Sequence, residues 1–585
     1  MEIKNEIERM LKNTLEKMEV DFQGSFNLEH PQYLKNGDWT TNIALRLAGK
    51  AGKNPREFAE QIRAQIEPNK NIEKIEVAGP GYLNFYLSPL FYYECISKIG
   101  RFAGTDNEIY PIKYKNFEKK EKNQKILLEH SSPNLFKPFH IGHMVNNAIG
   151  ESLGRIFKFL GYELRQISFP SDVGPGIAKT VWALKEQKKN IETLTLQEIA
   201  DAYVKGVAEY KENEEVKKEI DQINIDIYNY LYGEKNESEE IKYYQKGRDL
   251  SLEHFKEITQ KLGSHFDEMI FESQAEVLGK EIVRKNIPEV FKEVENEDGS
   301  KTVIFEGKNY TNVFINSQGF GTYLTKDIGL LKIKKERYSE VEKSFVVTDV
   351  EQKQHFEMVK EAGEKIAEIS DFVQKSEYLQ HGRMNFSGKV KISSRYGNVP
   401  LALDVISKVQ ENLLEKMVER DFTEEEKKLI SERIAIATLK YSILKVTSGK
   451  NISFDVEKDT DPQGNSAPYI IYALVRAKSI FNQDLAKQFL NEMNNRFYLE
   501  KNNLMIKVCR FSKKVQESFE LKSPHVLANY AYDLAQEFNK FYAETKILDE
   551  KEKNKTFLYL QITSSFINVM EKSLELLGIK PVEKM

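Results

Sequence analysis

Cysteine is nearly absent: the 585 residues contain two, Cys95 and Cys509, far apart and at no metal-ligand spacing. That suggests a reducing compartment and no disulfide framework. No apolar run approaches the length that spans a bilayer, so no membrane partner is expected. The opening "MEIKNEIERMLKNTLEKM" places Ile3, Ile7, Met10, Leu11 and Met18 on one helical face with Glu2, Glu6, Glu8 and Glu16 among them, unlike a signal or transit peptide. An excess of one charge sign is missing too: 86 Lys+Arg stand against 90 Asp+Glu, a net −4. This balance argues against a non-specific nucleic-acid binder while leaving room for a local basic groove. No internal repeat is visible. The reading is a cytoplasmic, enzyme-sized protein.

What is present is a globular composition, 40% hydrophobic and 30% charged, in a chain too long for one core. Residues 1 to about 112 read as a small α/β domain. In it "GDWTTNIALRLAGKAGKNPREFAEQIRAQI" holds two helical patterns broken near Pro55, and "IEKIEVAGPGYLNFYLS" reads as strands around a Gly79-Pro80-Gly81 turn. The lysine-rich "KYKNFEKKEKNQK" reads as a solvated linker. From 121 to 400, "KILLE", "MVNNAIGESLGRIFKFLGYEL" and "RQISF" form a strand–helix–strand unit of a parallel sheet. A charged helical stretch, about 183–262, reads as an insertion. Strand-like segments return at "TVIFE", "NVFIN" and "KSFVVTD", and 401–585 reads as helical to its end.

The chemistry concentrates in "EHSSPNLFKPFHIGH", residues 129–143. Pro133 and Pro138 forbid a helix before residue 139, so His140 and His143 fall where a loop turns into a helix. A helix N-terminus offers free N–H groups and a positive dipole end, a ready site for phosphate. Gly142 lets a flat base approach the backbone, and Lys137 adds a positive charge on the same loop. Two bland alternatives stand beside this one. The His-x-x-His spacing could ligate a metal, although no third Cys or His lies near in sequence. Either histidine could also be a satisfied polar group.

The same segment resembles the HIGH signature of class I aminoacyl-tRNA synthetases, and its "SSPN" and "KP" narrow the resemblance to the arginyl-tRNA synthetase family. "GKVKISSRYGN" resembles that family's "KMSTRKGN" loop, with Ile392 and Tyr396 departing from it. "GTYLTKDIG", "TDVEQKQHFEMV", "FDEMIFESQ", "DPQGNSAPYIIYALVRAKSI", "VAGPGYLNFYLS" and the closing "LLGIKPVEKM" are similar to further family segments, in order, along nearly the whole chain. Ile471 replaces the usual glutamine of one of them.

The resemblance implies an α/β fold: a Rossmann-type parallel-sheet catalytic domain (121–400) with a helical insertion, a small N-terminal α/β domain (1–112), and a C-terminal all-α helical bundle (401–585). The N-terminal domain would contact tRNA, and the C-terminal bundle its stem and anticodon. It implies arginine–tRNA ligation: ATP activates L-arginine to arginyl-adenylate with loss of pyrophosphate, and arginine then passes to the terminal ribose of tRNA(Arg). The substrate carboxylate is the nucleophile, so positioning and electrostatic stabilisation carry the first step. His140, His143, Lys137 and Lys391 would be the catalytic set. His140, Gly142, His143, Lys391, Ser393 and Ser394 would hold ATP. Mg²⁺ would arrive with ATP, with no dedicated metal site and no tightly bound cofactor.

For arginine, the carry-over implies Ser132, Asn134, His143 and Gln352 at the α-amino and carboxylate end. Tyr323 and Asp327 would face the guanidinium, with Glu272 a second carboxylate. Carboxylates meet a guanidinium fork best. Tyr323 and Asp327 are spaced i, i+4, one helical face, which by spacing alone is also an ordinary surface pair. Glu129 is either a site acid or a strand-end charge. Asn42, Tyr469 and Arg476 would touch tRNA, and the protein would be a monomer. Because a pocket that pairs a charged fork rejects analogues by roughly 10⁴ to 10⁵, the insertion reads as structural or tRNA-contacting and not as an editing domain. Two rivals remain: a non-catalytic tRNA-binding paralogue, and another HxGH nucleotidylyl transferase.

Overall fold

The run Lys125–Glu129 is buried on both faces, the pattern of a strand inside a covered parallel sheet. In the computed structural model, which describes residues 2–31, 34–67, 69–99, 124–388, 400–491 and 498–585, it is the central strand, β1, of five. The others are β2 (Glu163–Ser168), β3 (Glu268–Met269), β4 (Lys343–Asp349) and β5 (Ser376–His381), ordered β5-β4-β1-β2-β3. All four pairings are parallel. The chain winds one way from β1 to β3 and the other way through β4 to β5. The order therefore reverses between β1 and β4, and at such a point a crevice opens beyond the carboxyl ends of the strands.

Helix α1 (Ile141–Phe159) returns the chain from β1 to β2 and buries Ile141, Met144, Val145, Ala148 and Phe157. Gly161, with φ +91°, follows its end and donates its N–H to the Lys158 carbonyl at 3.0 Å. Helices α2 (Glu272–Lys285) and α3 (Tyr323–Arg337) cross at two glycines. A Cβ on Gly279 would lie 2.0 Å from the Thr325 carbonyl oxygen, and one on Gly329 would lie 1.8 Å from that of Ala275. Only glycine permits this approach. Helix α4 (Lys353–Lys365) follows β4. Leu127, Ile167, Ile270, Ile328, Leu331, Val359 and Phe372 form the core beneath these elements.

The insertion is four helices, Pro175–Glu186, Leu196–Glu212, Glu214–Leu231 and Glu239–Lys261. It starts earlier than the expected 183, because Pro175 suits the first helical turn. Its core joins Trp182, Ile220, Tyr243 and Tyr244 to Phe136 of the loop after β1.

"TVIFE" and "NVFIN", expected as strands, are strands of an antiparallel sheet of Lys292–Glu295, Lys301–Glu306 and Thr311–Ile315, separate from the parallel one. Two expectations are corrected. The chain after 400 is not wholly helical: Ile452–Asp455 pairs in parallel with Met384–Ser387, burying Ile452 and Phe454. Trp39–Thr41, read as part of a helical pattern, is a strand paired with Tyr82–Leu87. Both misread strands are short, and their partners lie far off in sequence.

The parallel sheet belongs to a compact unit made of Glu121–Ile471, Ser518–Asn529 and Leu574–Met585. A second unit takes Met1–Lys120, Tyr472–Glu517 and Tyr530–Ser573. In the second unit the strands Trp39–Thr41, Tyr82–Leu87 and Ile72–Ala78 form an antiparallel sheet beside the helices Glu2–Lys17 and Pro55–Gln65. Helix Glu2–Lys17 buries Ile3, Ile7, Leu11 and Leu15. Asp38 is buried and accepts hydrogen bonds from Leu87 N at 2.8 Å, from Lys501 Nζ at 2.9 Å and from the Tyr92 hydroxyl. Gly81, at φ +136°, has no room for a side chain, since a Cβ would lie 2.7 Å from the Pro55 carbonyl oxygen.

Candidate active site

The loop that leaves β1 is tied down at nearly every turn. Ser131 N donates to Asn146 Oδ1 at 2.7 Å, and Asn146 Nδ2 donates to the Val347 carbonyl of β4 at 2.7 Å. Asn146 on α1 thus clamps the carboxyl ends of β1 and β4 together. Ser171 N donates to Pro133 O at 2.9 Å, and Leu135 N donates to Ser171 O at 3.0 Å. The Ser132 hydroxyl accepts from Phe169 N at 3.0 Å. At the far end Ile141 N donates to Pro400 O, and Ala402 N to Phe139 O. Ser132, Asn134 and Lys137 remain exposed on this braced loop.

His140 occupies the cap position of α1 in extended backbone, φ −100° and ψ 172°. Its imidazole stacks on that of His143, centroids 3.7 Å apart at 17°. His140 N donates to His143 Nδ1 at 3.3 Å, so His143 carries its own proton on Nε2 and can donate from there. Burial, then the nearby Lys137 charge, pulls the His140 pKa to about 4. Burial, then His140 and Lys137, holds His143 well below the ordinary range. Both rings are therefore neutral donors at pH 7. The Nδ1 of His140 is buried without a partner. A Cβ on Gly142 would lie 3.1 Å from two atoms of the His140 ring, so the space above that glycine, expected to admit a base, is used by the imidazole.

A second group of side chains gathers at the crevice from α2, α3 and α4. Asp327 Oδ2 meets His355 Nε2 at 2.5 Å. Glu272 is buried, pairs with Lys326 Nζ at 2.7 Å and accepts from the Ser171 hydroxyl at 2.8 Å. Ser171 thereby joins the loop after β1 to the carboxylate on α2. Glu129, at the end of β1, is buried in an ion pair with Lys334, seven residues beyond Asp327 on α3. Burial raises the Glu129 pKa against the pull of Lys334, with Asp327 adding to the rise. Glu272 is raised likewise by burial, opposed by Lys326. Burial works to lower the Lys326 pKa, but Glu272 and Glu276 outweigh it and keep the amine protonated. Tyr323 stands exposed at the first position of α3, its ring 5.2 Å from Lys326 Nζ. Gln352, exposed before α4, accepts from Asp349 N at 3.2 Å.

Other expected residues lie elsewhere. Lys391, Ser393 and Ser394 fall outside the described residues, as does most of the lysine-rich linker. Asn42 precedes a short helix, with its Oδ1 buried and unpartnered. Tyr469 is half-buried on helix Ala467–Phe481. Arg476, farther along that helix, donates to Asn539 Oδ1 and to the Tyr472 hydroxyl, both at 2.9 Å, and lies 4.5 and 5.0 Å from the Tyr472 and Tyr542 ring centroids. Sequence reasoning passed over His355, Lys326, Lys334 and Asn146. The i, i+7 spacing of Asp327 and Lys334 puts both on one helical face and was a usable signal; the partner of His355 left none. Among the described residues no cluster of three or more His, Cys, Asp or Glu side chains is placed to hold a metal ion.

The family described as tRNA synthetases class I (R), catalytic domain, matches residues 109–456, more than half of the chain. The arginyl tRNA synthetase N terminal domain matches 2–87, and the DALR anticodon binding domain 470–585. An arginine–tRNA ligase of Fusobacterium nucleatum subsp. nucleatum is 28% identical over 564 residues, covering 94% of this chain and 93% of that protein. One of Shewanella denitrificans is 24% identical over 612 residues, covering 100% of both. In fold, the chain is similar to Plasmodium falciparum arginyl-tRNA synthetase, with TM-score 0.76, 22% identity, and 100% and 99% of the two chains covered. The Thermus thermophilus arginyl-tRNA synthetase gives TM-score 0.73 at 20% identity, covering 99% of this chain and 100% of that one.

Proposed function

We propose, for a chain that belongs to the arginyl family of class I tRNA synthetases and so charges tRNA with arginine at the expense of ATP, that the reaction runs in the crevice between β1 and β4. The observation that carries this is the pairing of two features at one point of strand reversal. One is a helix N-terminus with two neutral stacked histidines, and the other is a set of carboxylates suited to a guanidinium.

The arginine carboxylate oxygen attacks the α-phosphorus of ATP, the bond to the β-phosphate oxygen breaks, and pyrophosphate leaves with those electrons. The terminal ribose hydroxyl then attacks the arginyl carbonyl and AMP departs. His143 donates from Nε2 to phosphate oxygen, with His140 beside it. Because both rings are neutral before ATP arrives, they stabilise developing negative charge without a proton having to be lost first. Lys137, with Lys391, Ser393 and Ser394 of the "KISSR" loop, neutralises the triphosphate, and Gly142 leaves room for the His140 ring. Magnesium arrives as part of the ATP substrate. Ser132, Asn134 and Gln352 hold the α-amino and carboxylate end. Tyr323 and Asp327 meet the guanidinium, and Glu272 supports them through its pairing with Lys326.

Residues 1–112 would contact tRNA with Asn42, 121–400 carry catalysis, and 401–585 take the stem and anticodon. Tyr469 would lie at that surface, and Arg476 would brace it. The protein works as a monomer in the cytoplasm. Among the described residues no helix is long and apolar enough to cross a membrane. The test is ATP–pyrophosphate exchange against all twenty amino acids, with and without tRNA. Exchange with arginine alone supports the reading. Exchange with another amino acid, or none under any condition, overturns it.

A further inference from the structure

Three carboxylates converge where the arginine side chain would enter, and each already has its own cation. Glu129 is paired with Lys334, Glu272 with Lys326, and Asp327 with His355. The two lysine amines are almost wholly buried, 3% and 5% exposed, and each is locked in an ion pair with its carboxylate; Glu272 and Glu276 keep the Lys326 amine protonated. The third cation is of another kind. A histidine changes charge within the physiological range, and this one is partly open, 26% exposed.

Arginine brings a permanent positive charge. Once its guanidinium joins Asp327, the pocket would hold four cations against three carboxylates in a partly water-excluded space, where like charges repel strongly. One cation has to go, and only His355 can go at low cost.

We propose that His355 is the displaceable counter-cation of the arginine pocket: it holds Asp327 in the empty enzyme, then yields that carboxylate to the guanidinium and sheds its proton. The inference rests on the reading of Asp327 as the guanidinium ligand. In the exchange, the hydrogen bond between His355 Nε2 and Asp327 Oδ2 breaks and guanidinium N–H donors take the carboxylate. The Nε2–H bond breaks with its electron pair left on nitrogen, and the proton passes to solvent. The charge of the pocket is the same before and after.

The surroundings favour this cycle. Burial drives the His355 imidazole towards its neutral form. In the empty site the hydrogen bond and charge of Asp327, with the charge of Glu272 on α2, outweigh burial and hold its pKa above the ordinary value. When the guanidinium neutralises Asp327, burial prevails. On its own helix, Lys353 and Glu357 are exposed and pair with each other. The neighbouring Phe356 stacks on Tyr378 of β5, and burial with the charges of Asp327 and Glu129 keeps that phenol protonated. The charges acting on His355 from its neighbours are thus the two carboxylates named. A neutral isostere of arginine such as citrulline would lack the charge that ejects the proton.

The test is calorimetric titration of the full-length protein with L-arginine near pH 7 in PIPES and in Tris, whose ionisation enthalpies differ. The expected result is a buffer-dependent heat that reports proton release on arginine binding. With it, Kd for arginine should fall as pH rises, by at most about tenfold per pH unit, as linkage of one proton requires. In His355→Gln both effects should vanish while arginine still binds. Wild-type heats independent of buffer would overturn the proposal without recourse to any variant. Proton release persisting in His355→Gln would also overturn it, by assigning the proton elsewhere. Asp327→Asn separates the two layers: if it binds arginine as tightly as wild type, the guanidinium assignment fails and this inference with it. If it binds weakly while the wild type releases no proton, the inference alone fails.

Discussion

Gly329→Ala should damage arginine use from a position that touches no substrate. The new Cβ would sit 1.8 Å from the Ala275 carbonyl oxygen and 2.8 Å from Gly279 N. Both obstacles are backbone, so no rotamer relieves the clash and α2 and α3 must part by more than an ångström. Overpacking of this kind costs about 1–3 kcal/mol and sometimes more, against which the better helix propensity of alanine returns up to ~1 kcal/mol. The larger effect is geometric. Glu272 rides on α2, Lys326 and Asp327 on α3, so separation moves the Glu272–Lys326 pair and the Asp327–His355 contact together. A misplacement of about 1 Å at a reacting site costs on the order of 10²-fold in rate. The assay pairs urea denaturation, followed by circular dichroism, with aminoacylation kinetics in which arginine and ATP are varied separately. Stability should fall, kcat/KM for arginine should drop on the order of 10²-fold, and KM for ATP should stay nearly unchanged. A variant as stable as wild type with unaltered arginine kinetics would refute both the crossing and its link to the pocket.

Asp327→Asn keeps the shape of the side chain and removes its charge. Losing one member of a desolvated charge pair costs roughly 2–5 kcal/mol, so KM for arginine should rise ~30-fold or more while that for ATP stays put; equal changes in both would count against the guanidinium role. Gly142→Ala presses a methyl to 3.1 Å from the His140 ring, and a shift of a few tenths of an ångström should lower the exchange rate about tenfold without loss of stability. Unchanged exchange in that variant would mean the ring position is immaterial. His130 is buried beside Gln166, and burial lowers its pKa to about 4. The folded state therefore binds fewer protons than the unfolded chain between about pH 6.5 and 4, and stability falls as pH drops through that window, by roughly 3 kcal/mol in full. Urea midpoints at pH 7.5 and 5 should show this slope, and His130→Gln should flatten it.

Local features were the most readable. Pro133 and Pro138 confine the helix start, which is why His140 could be placed at the head of α1 from the chain alone. β1 reads as a continuous apolar run, and α1 and β2 carry local patterns over several residues. Asp327 was visible only through the resemblance of its segment, because an i, i+4 Tyr–Asp pair is commonplace on helices. His355 lay within a quoted segment and still went unremarked, since its partner is 28 residues away and reaches it only when α3 and α4 pack. The same holds for Glu129, whose two readings could not be separated until Lys334 was seen against it. Short strands such as Trp39–Thr41 and Ile452–Asp455 fail for a related reason: three or four residues hold too little pattern, and their stability comes from distant partners. Arg476 looked free to meet a nucleic acid because nothing local reveals Asn539 and Tyr542 closing on it.

The central claim is met most directly by identifying what the protein esterifies to tRNA. The purified chain is incubated with ATP, magnesium, total tRNA and all twenty amino acids together, and the amino acid released from the 3′-terminal ribose is identified by mass spectrometry. Arginine alone, carried on tRNA(Arg) alone, is the predicted result. A different amino acid, or bound but uncharged tRNA, would contradict it.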